Sequence, residues 1–284
     1  MIRKGHQFSR LPRKLLFRGI GLCFLVYFVA CIGCASFQGK LIYFPPCSNE
    51  TQVERYAATQ KLERWINPSG EPIGWKRLSP TQPAQARVLV MHGNSNGAFQ
   101  CGHYADAIQQ AAPFDVFMVE YPGYENRPGS PSEVSLDKAA EEAFGLLTTN
   151  RPIYLVGESL GTGVATYLAG KHPNEVAGVV LVAPYNHLSA VAQAHIRIIP
   201  VAWLLCDKFP SDEYLRTYHG PVAILVSGKD RVVPERFGRR LYDSYHGPKQ
   251  LWEFPEGHHE TAMFQPPEIW RQIFDFWKSH QQAP

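Results

Sequence analysis

Six apolar runs of strand length, at residues 87–91, 115–120, 153–156, 179–182, 222–226 and 250–254, alternate with segments of helical pattern at 99–112, 134–148, 160–171, 235–245 and 268–278. A strand buried on both faces reads as a continuous apolar run, and the helices between such strands are the crossovers that parallel pairing needs. The alternation therefore predicts an α/β chain with a mostly parallel central sheet and helices on both faces. With 284 residues, 45% of them hydrophobic and 19% charged, the chain has ample material for one such domain. Ahead of the first buried run, 62–66 and 73–78 flank Asn67-Pro68-Ser69-Gly70, a turn sequence that predicts a hairpin. Ser135 is read as the cap of the helix that follows it, and Pro173 stops the helix of 160–171. One interval breaks the rhythm: 185–218 contains the apolar stretch 195–205, interrupted by Pro200. It reads either as a short lid insertion or as a crossover helix that packs its Ile and Leu residues into the core.

The strand at 153–156 runs into Gly157-Glu158-Ser159-Leu160-Gly161 at the start of a small-residue helix. This is the pattern of a nucleophile elbow: a sharp strand-to-helix turn exposes the serine, and the glycines let the two backbones approach. A serine hydroxyl needs a base in hydrogen-bond reach and a carboxylate to orient that base. In an open parallel sheet both should come from loops beyond the C-terminal ends of later strands. Asp230 follows the run 222–226, with Asp207, Asp212 and Asp243 as less well placed rivals. His258 follows the run 250–254 and is preferred over its neighbour His259 because it comes directly after Gly257. His258, His259 and Glu260 together also read as a metal fragment, for which no third or fourth ligand stands at suitable spacing. The loop His92-Gly93-Asn94-Ser95-Asn96-Gly97 follows the first buried strand, where Gly93 allows a tight turn. The amides of Asn94 and Leu160 are the expected oxyanion donors. No metal or organic cofactor is implied.

Charge is uneven. Six of the 28 basic residues lie within the first 18 positions, and the 22 that remain face 25 acidic ones, a net of −3 for the folded part. That excludes a nucleic-acid binder by charge. The basic start precedes an apolar run at 19–33, about the length of a signal-peptide core and shorter than the roughly 20 residues of a comfortable span. The end of the run resembles a bacterial lipobox, with Cys31 or Cys34 as the lipidated residue; an uncleaved membrane anchor is the alternative. Either places the domain outside the cytoplasmic membrane when the basic residues stay inside. Residues 1–34 are accordingly read as leader or anchor and 35–284 as the domain. Behind the leader, Cys47, Cys101 and Cys206 permit at most one internal disulfide.

Met91-His92-Gly93-Asn94, Glu120-Tyr121-Pro122-Gly123-Tyr124, Pro131-Ser132-Glu133, the Ser159 elbow, Gly228-Lys229-Asp230 through Pro234, and Gly257-His258 together resemble the successive motifs of the α/β-hydrolase superfamily. They look closest to its Bem46-like branch, which includes the mammalian protein depalmitoylases. The resemblance runs from about residue 41 to 277. It implies the α/β-hydrolase fold and a Ser159-Asp230-His258 triad cleaving an ester or thioester through an acyl-enzyme. A peptidase, an acyltransferase or a non-catalytic binding protein shares the same fold. Tyr121, Tyr124 and Trp203 are candidate substrate contacts. The apolar residues at 198–204, with the membrane-proximal start, suggest a lipid-like acyl substrate. The chain departs from the family at Glu125-Asn126-Arg127, where glycine and serine usually follow.

Overall fold

The computed structural model describes residues 13–46, 48–148 and 150–280. Cys47 and the basic residues ahead of Arg13 lie outside them. Eight strands form one sheet: β1 (Glu63–Ile66), β2 (Pro72–Arg77), β3 (Ala86–Met91), β4 (Phe114–Val119), β5 (Ile153–Glu158), β6 (Val176–Val182), β7 (Val222–Ser227) and β8 (Lys249–Phe254). Their order is β1-β2-β4-β3-β5-β6-β7-β8. The hairpin β1–β2 pairs antiparallel with β4, and all later pairs are parallel. The chain leaves β3 toward β4 and returns to β5 on its other side. That reversal opens a crevice beyond the C-terminal ends of β3 and β5, where ligands of such sheets bind.

The helices are α1 (Arg13–Ser36), α2 (Gln38–Ile42), α3 (Glu50–Thr59), α4 (Gly102–Ala111), α5 (Glu133–Gly145), α6 (Leu160–Lys171), α7 (Leu188–His195), α8 (Val201–Leu204), α9 (Ser211–Tyr214), α10 (Glu235–Ser244) and α11 (Pro267–His280). Strand residues alternate between two cores. Leu89, Leu155, Leu181 and Ile224 face α5, α6 and α10, while Val88, Val156, Val180 and Leu225 face α3, α4 and α11. Both faces are dry, which is why these strands read as unbroken apolar runs. The hairpin turn is held by Asn67, whose side-chain oxygen accepts from the amides of Ser69 and Glu71.

Three local expectations change. The cap of α5 is Ser132 rather than Ser135: the two side chains bond each other's amides reciprocally, at 3.1 and 2.8 Å, so the helix begins at Glu133. A helix, α3, stands where no element was expected; Asn49 caps it and Val53 and Ala57, four apart, are its buried stripe. At the front, the apolar helix extends past the glycines at 19 and 33. Phe17–Ser36 gives 20 residues, long and apolar enough to cross a membrane by length and composition, and it is not buried in the rest of the protein. Cys31 and Cys34 lie in its last turns, and Cys101 and Cys206 are both free thiols. The interval 185–218 divides itself between its two readings: Val201 and Leu205 are buried, but Ile198 and Trp203 are 81% and 88% exposed.

One buried acid in α5 is costly. Burial first, then the charges of Glu133, Glu141 and Asp207, push the Asp137 carboxyl up from 3.8 to about 8, and its Oδ1 has no hydrogen-bond partner among the described residues. The unfolded chain ionises this group near its ordinary value while the folded chain holds the proton, so its contribution makes stability fall as pH rises between those two values. Asp137→Asn should therefore gain stability relative to the parent as pH rises from 5 to 8, reaching a few kcal/mol, since each tenfold difference in proton affinity between folded and unfolded chain is worth about 1.4 kcal/mol. Urea midpoints at the two pH values check this.

Candidate active site

Ser159 links β5 to α6 with φ 49 and ψ −112, a conformation that a residue with a side chain rarely adopts. The turn is possible because Gly157 and Gly161 leave no room for anything larger. A Cβ on Gly157 would lie 2.6 Å from the Gly161 carbonyl oxygen, and one on Gly161 only 2.2 Å from that of Met91. Helix and sheet ends thus touch backbone to backbone. The Ser159 amide donates to Val182 O at 2.8 Å, and Ser159 O accepts from the amide and hydroxyl of Thr162 at 3.0 and 2.6 Å. Leu160 is the first residue of α6, so its amide has no acceptor within the helix. The side chain is less open than the sequence suggests, with Ser159 only 8% exposed.

Asp230 is buried in the turn after β7. Its Oδ1 accepts from the amides of Val232 and Val233, both at 2.8 Å, which fixes the carboxylate plane. Its Oδ2 meets a histidine ring nitrogen at 2.6 Å, and that histidine is His259, through Nδ1. The preference for His258 is corrected here. His258 has extended backbone, φ −95 and ψ −177, just before a short helical turn at His259–Ala262; its amide bonds Thr261 Oγ1 and its side chain is exposed. Successive side chains leave extended backbone on opposite sides, so the residue after His258 is the one that turns back over the sheet. The turn is set by Lys229 N donating to Gly257 O at 2.8 Å, which ties the loops after β7 and β8 together. Two of the three rival acids are engaged elsewhere, Asp207 accepting from the Tyr43 hydroxyl at 2.8 Å and Asp212 pairing with His187 at 2.8 Å, while Asp243 is exposed. Among the described residues, no three His, Cys, Asp or Glu side chains converge as a metal cluster would.

The loop after β3 is fixed from three sides. The Asn94 side chain donates to Ile42 O at 2.5 Å and accepts from Phe44 N at 3.0 Å and from the Tyr124 hydroxyl at 2.7 Å. Tyr121 donates to His92 O at 3.2 Å. Both tyrosines are fully buried with their hydroxyls committed to this loop, so their place is that of supports rather than of the substrate surface expected of them. Burial, helped by Glu120, pushes the Tyr124 phenol up and keeps it a donor. His92, also fully buried, reaches Glu120 through Nε2 at 3.0 Å and Gly93 O through Nδ1 at 2.8 Å. Gly93 does not take a positive φ; its lack of a side chain makes room for Glu158, whose Oε1 would lie 2.7 Å from a Cβ there. Trp203 projects from α8 to the outside.

Three participants were missed by the sequence reading. Glu158, inside the elbow motif, is a buried carboxylate that accepts from Tyr104 at 2.9 Å and Asn96 at 3.1 Å, joining elbow to loop from below. Residues 38–46, with Ser48, form a strap across the site's edge. It bonds Asn94, places Tyr43 on Asp207, and bonds Glu125 through Ser48. Glu125 and Arg127, the departures from the family pattern, hold the strap and, through Arg127, Glu120 O and Glu142. A buried charge between glycines and a tether made of Tyr and Pro are the only signals the sequence offered for these.

A family model for the alpha/beta hydrolase fold matches residues 86–207. An uncharacterized protein of Mycobacterium tuberculosis is 31% identical over 233 residues, 80% of this chain and 82% of that one. The lysophosphatidylserine lipase ABHD12 of Macaca fascicularis is 26% identical over 276 residues, 81% of this chain and 69% of that one. Among solved structures, the esterase Pf2001 of Pyrococcus furiosus superposes with a TM-score of 0.62 at 13% identity, over 85% of this chain and 99% of its own. The chain belongs to the α/β-hydrolase superfamily, and the lipase among its sequence relatives supports a hydrolase.

The geometry separates the two histidines experimentally. His259→Ala should cost roughly 10²–10⁴ in kcat/KM toward an activated ester, the range for loss of a positioned base, while His258→Ala stays close to the parent. Asn94→Ala should lower kcat by up to about 10²-fold, the scale set by ångström misplacement of a reacting group, with little change in KM. Initial-rate kinetics on the three variants check both.

Proposed function

We propose that the protein is a serine hydrolase that cleaves an ester or thioester acyl bond, with Ser159 as nucleophile, His259 as base and Asp230 as its orienting carboxylate. The observation that carries this reading is the 2.6 Å contact between Asp230 Oδ2 and His259 Nδ1. It fixes the imidazole with Nδ1 as donor and leaves Nε2 free to take a proton. Ser159 Oγ attacks the acyl carbonyl carbon as its proton passes to His259 Nε2. The negative charge that develops on the carbonyl oxygen is met by the amides of Asn94 and Leu160, the second strengthened by the N-terminal end of α6. The imidazolium, stabilised by Asp230, then gives its proton to the leaving oxygen or sulfur, and the acyl group remains on Ser159. Water, deprotonated by the same His259, releases it by the reverse sequence.

A lipid-like acyl substrate fits the surroundings. The apolar α1 leads through the strap to the loop that carries Asn94, and a lipase is among the chain's relatives. The motif resemblance to the Bem46-like branch points the same way. In this reading α1 is kept as a membrane anchor, with the domain on the extracytoplasmic side. The contact between Tyr27 and Ile198 favours retention, since it holds the helix against the domain.

A fluorophosphonate probe tests the mechanism. The parent should be labelled on Ser159 and Ser159→Ala should not; equal labelling of both, or none of either, refutes the triad. The acyl preference is read with p-nitrophenyl esters of increasing chain length, where strict preference for acetyl over octanoyl contradicts a lipid-like substrate.

A further inference from the structure

The stretch between α7 and the end of α8 is hard to reconcile with water. From Ile196 to Leu205 the only charge is Arg197, and Ile198 and Trp203 are almost wholly exposed. Its irregular backbone is nevertheless supplied with partners. Gln193 Nε2 donates to both Ile196 O and Ile199 O, at 2.7 and 3.0 Å, and Gln193 Oε1 accepts from Ala202 N at 3.1 Å. The Tyr27 hydroxyl donates to Ile198 O at 3.1 Å. A loop in water needs no such provision, because solvent bonds its carbonyls; a loop in hydrocarbon does, because no solvent there can bond an unpaired group.

The position of Tyr27 supplies a depth. It stands nine residues before Ser36, the end of the apolar span, which at the helical rise is about 14 Å along the axis. One leaflet of a bilayer core is about 15 Å thick. If α1 crosses a bilayer, whatever touches Tyr27 is inside the membrane, and what touches it is Ile198. Behind this contact, α1 and residues 195–199 enclose a groove of about 760 Å³ lined by Leu22, Val26, Ala30, Ile196 and Ile199 among others. The exposed apolar face continues along the strap through Phe37, Leu41 and Phe44. Arg197 is the one charge between Ile196 and Leu205 that this placement carries into the bilayer, where its stem can lie along apolar surface.

We propose that residues 196–203 are inserted into one leaflet of a lipid bilayer, packed along α1, with lipid filling the groove between them. The inference rests on the reading of α1 as a retained anchor; it does not depend on the triad. The bilayer thus holds the domain at two points, and the rim formed by the strap faces the lipid.

Trp203 reports on this directly, because the other five tryptophans, Trp65, Trp75, Trp252, Trp270 and Trp277, are buried. The full chain and Trp203→Phe are reconstituted in phosphatidylcholine vesicles and recovered by flotation. Their difference spectrum is the emission of Trp203. It should be blue-shifted relative to tryptophan in water and strongly quenched when the acyl chains are brominated, with the protein floating in both cases. A floating protein whose Trp203 emission is red and indifferent to bromine overturns the insertion, whether water or a second copy covers the face. A protein that does not float overturns it through the anchor. Fluorophosphonate labelling in the same vesicles reads the hydrolase proposal separately.

Discussion

Everything around the candidate site depends on the contact between the N-terminal turn of α6 and the C-terminal end of β3. Gly161 lies against Met91 O so closely that no side chain fits, and the strained backbone of Ser159 is the geometric result. A residue at positive φ costs of order 1–3 kcal/mol and persists only where its surroundings over-determine it. Here they do. Val182 O and Thr162 hold the Ser159 backbone, and Glu158 is anchored beneath by Tyr104 and Asn96. The elbow and the loop after β3 are therefore one unit. A shift in either is felt at the point where the serine hydroxyl and the amides of Asn94 and Leu160 would meet a substrate.

The second organising feature is the strap. Asn94 serves two functions with different atoms in the proposed reaction: its amide faces the site, and its side chain bonds Ile42 and Phe44 in the segment that leads from α1. The same segment reaches the far side of the site through Tyr43 and Asp207, at the end of the apolar interval. The apolar α1, the strap and the apolar excursion are thus tied to the loop after β3 by hydrogen bonds rather than by flexible linkage. This gives a physical route by which membrane attachment would set the geometry of the site.

The sheet was legible in the sequence because its strands are dry on both faces; runs such as Leu89 to Met91 leave little else to form. The elbow was legible because its glycines are demanded by a backbone contact. The histidine was not. Spacing after Gly257 favoured His258, but direction is decided by one extended residue and the short helix that follows, a choice invisible in composition. Tyr121 and Tyr124 were recognised as belonging to the site while their burial was not, since a tyrosine has both an apolar ring and a polar end and can support a loop or face a ligand. The span of α1 was underestimated because its glycines look like boundaries, whereas in a continuous apolar helix they are interior. The role of the strap was not legible, since it lies in contacts with residues 50 to 168 positions away.

The central claim is that an acyl group passes through Ser159. Rapid quenching of the full-length protein during hydrolysis of a slow ester, followed by peptide mass mapping, tests it most directly. The account predicts an acyl adduct on the peptide containing Ser159 that forms before steady state and disappears when substrate is exhausted. Steady turnover with no adduct, or an adduct on another residue such as Ser95, would contradict it.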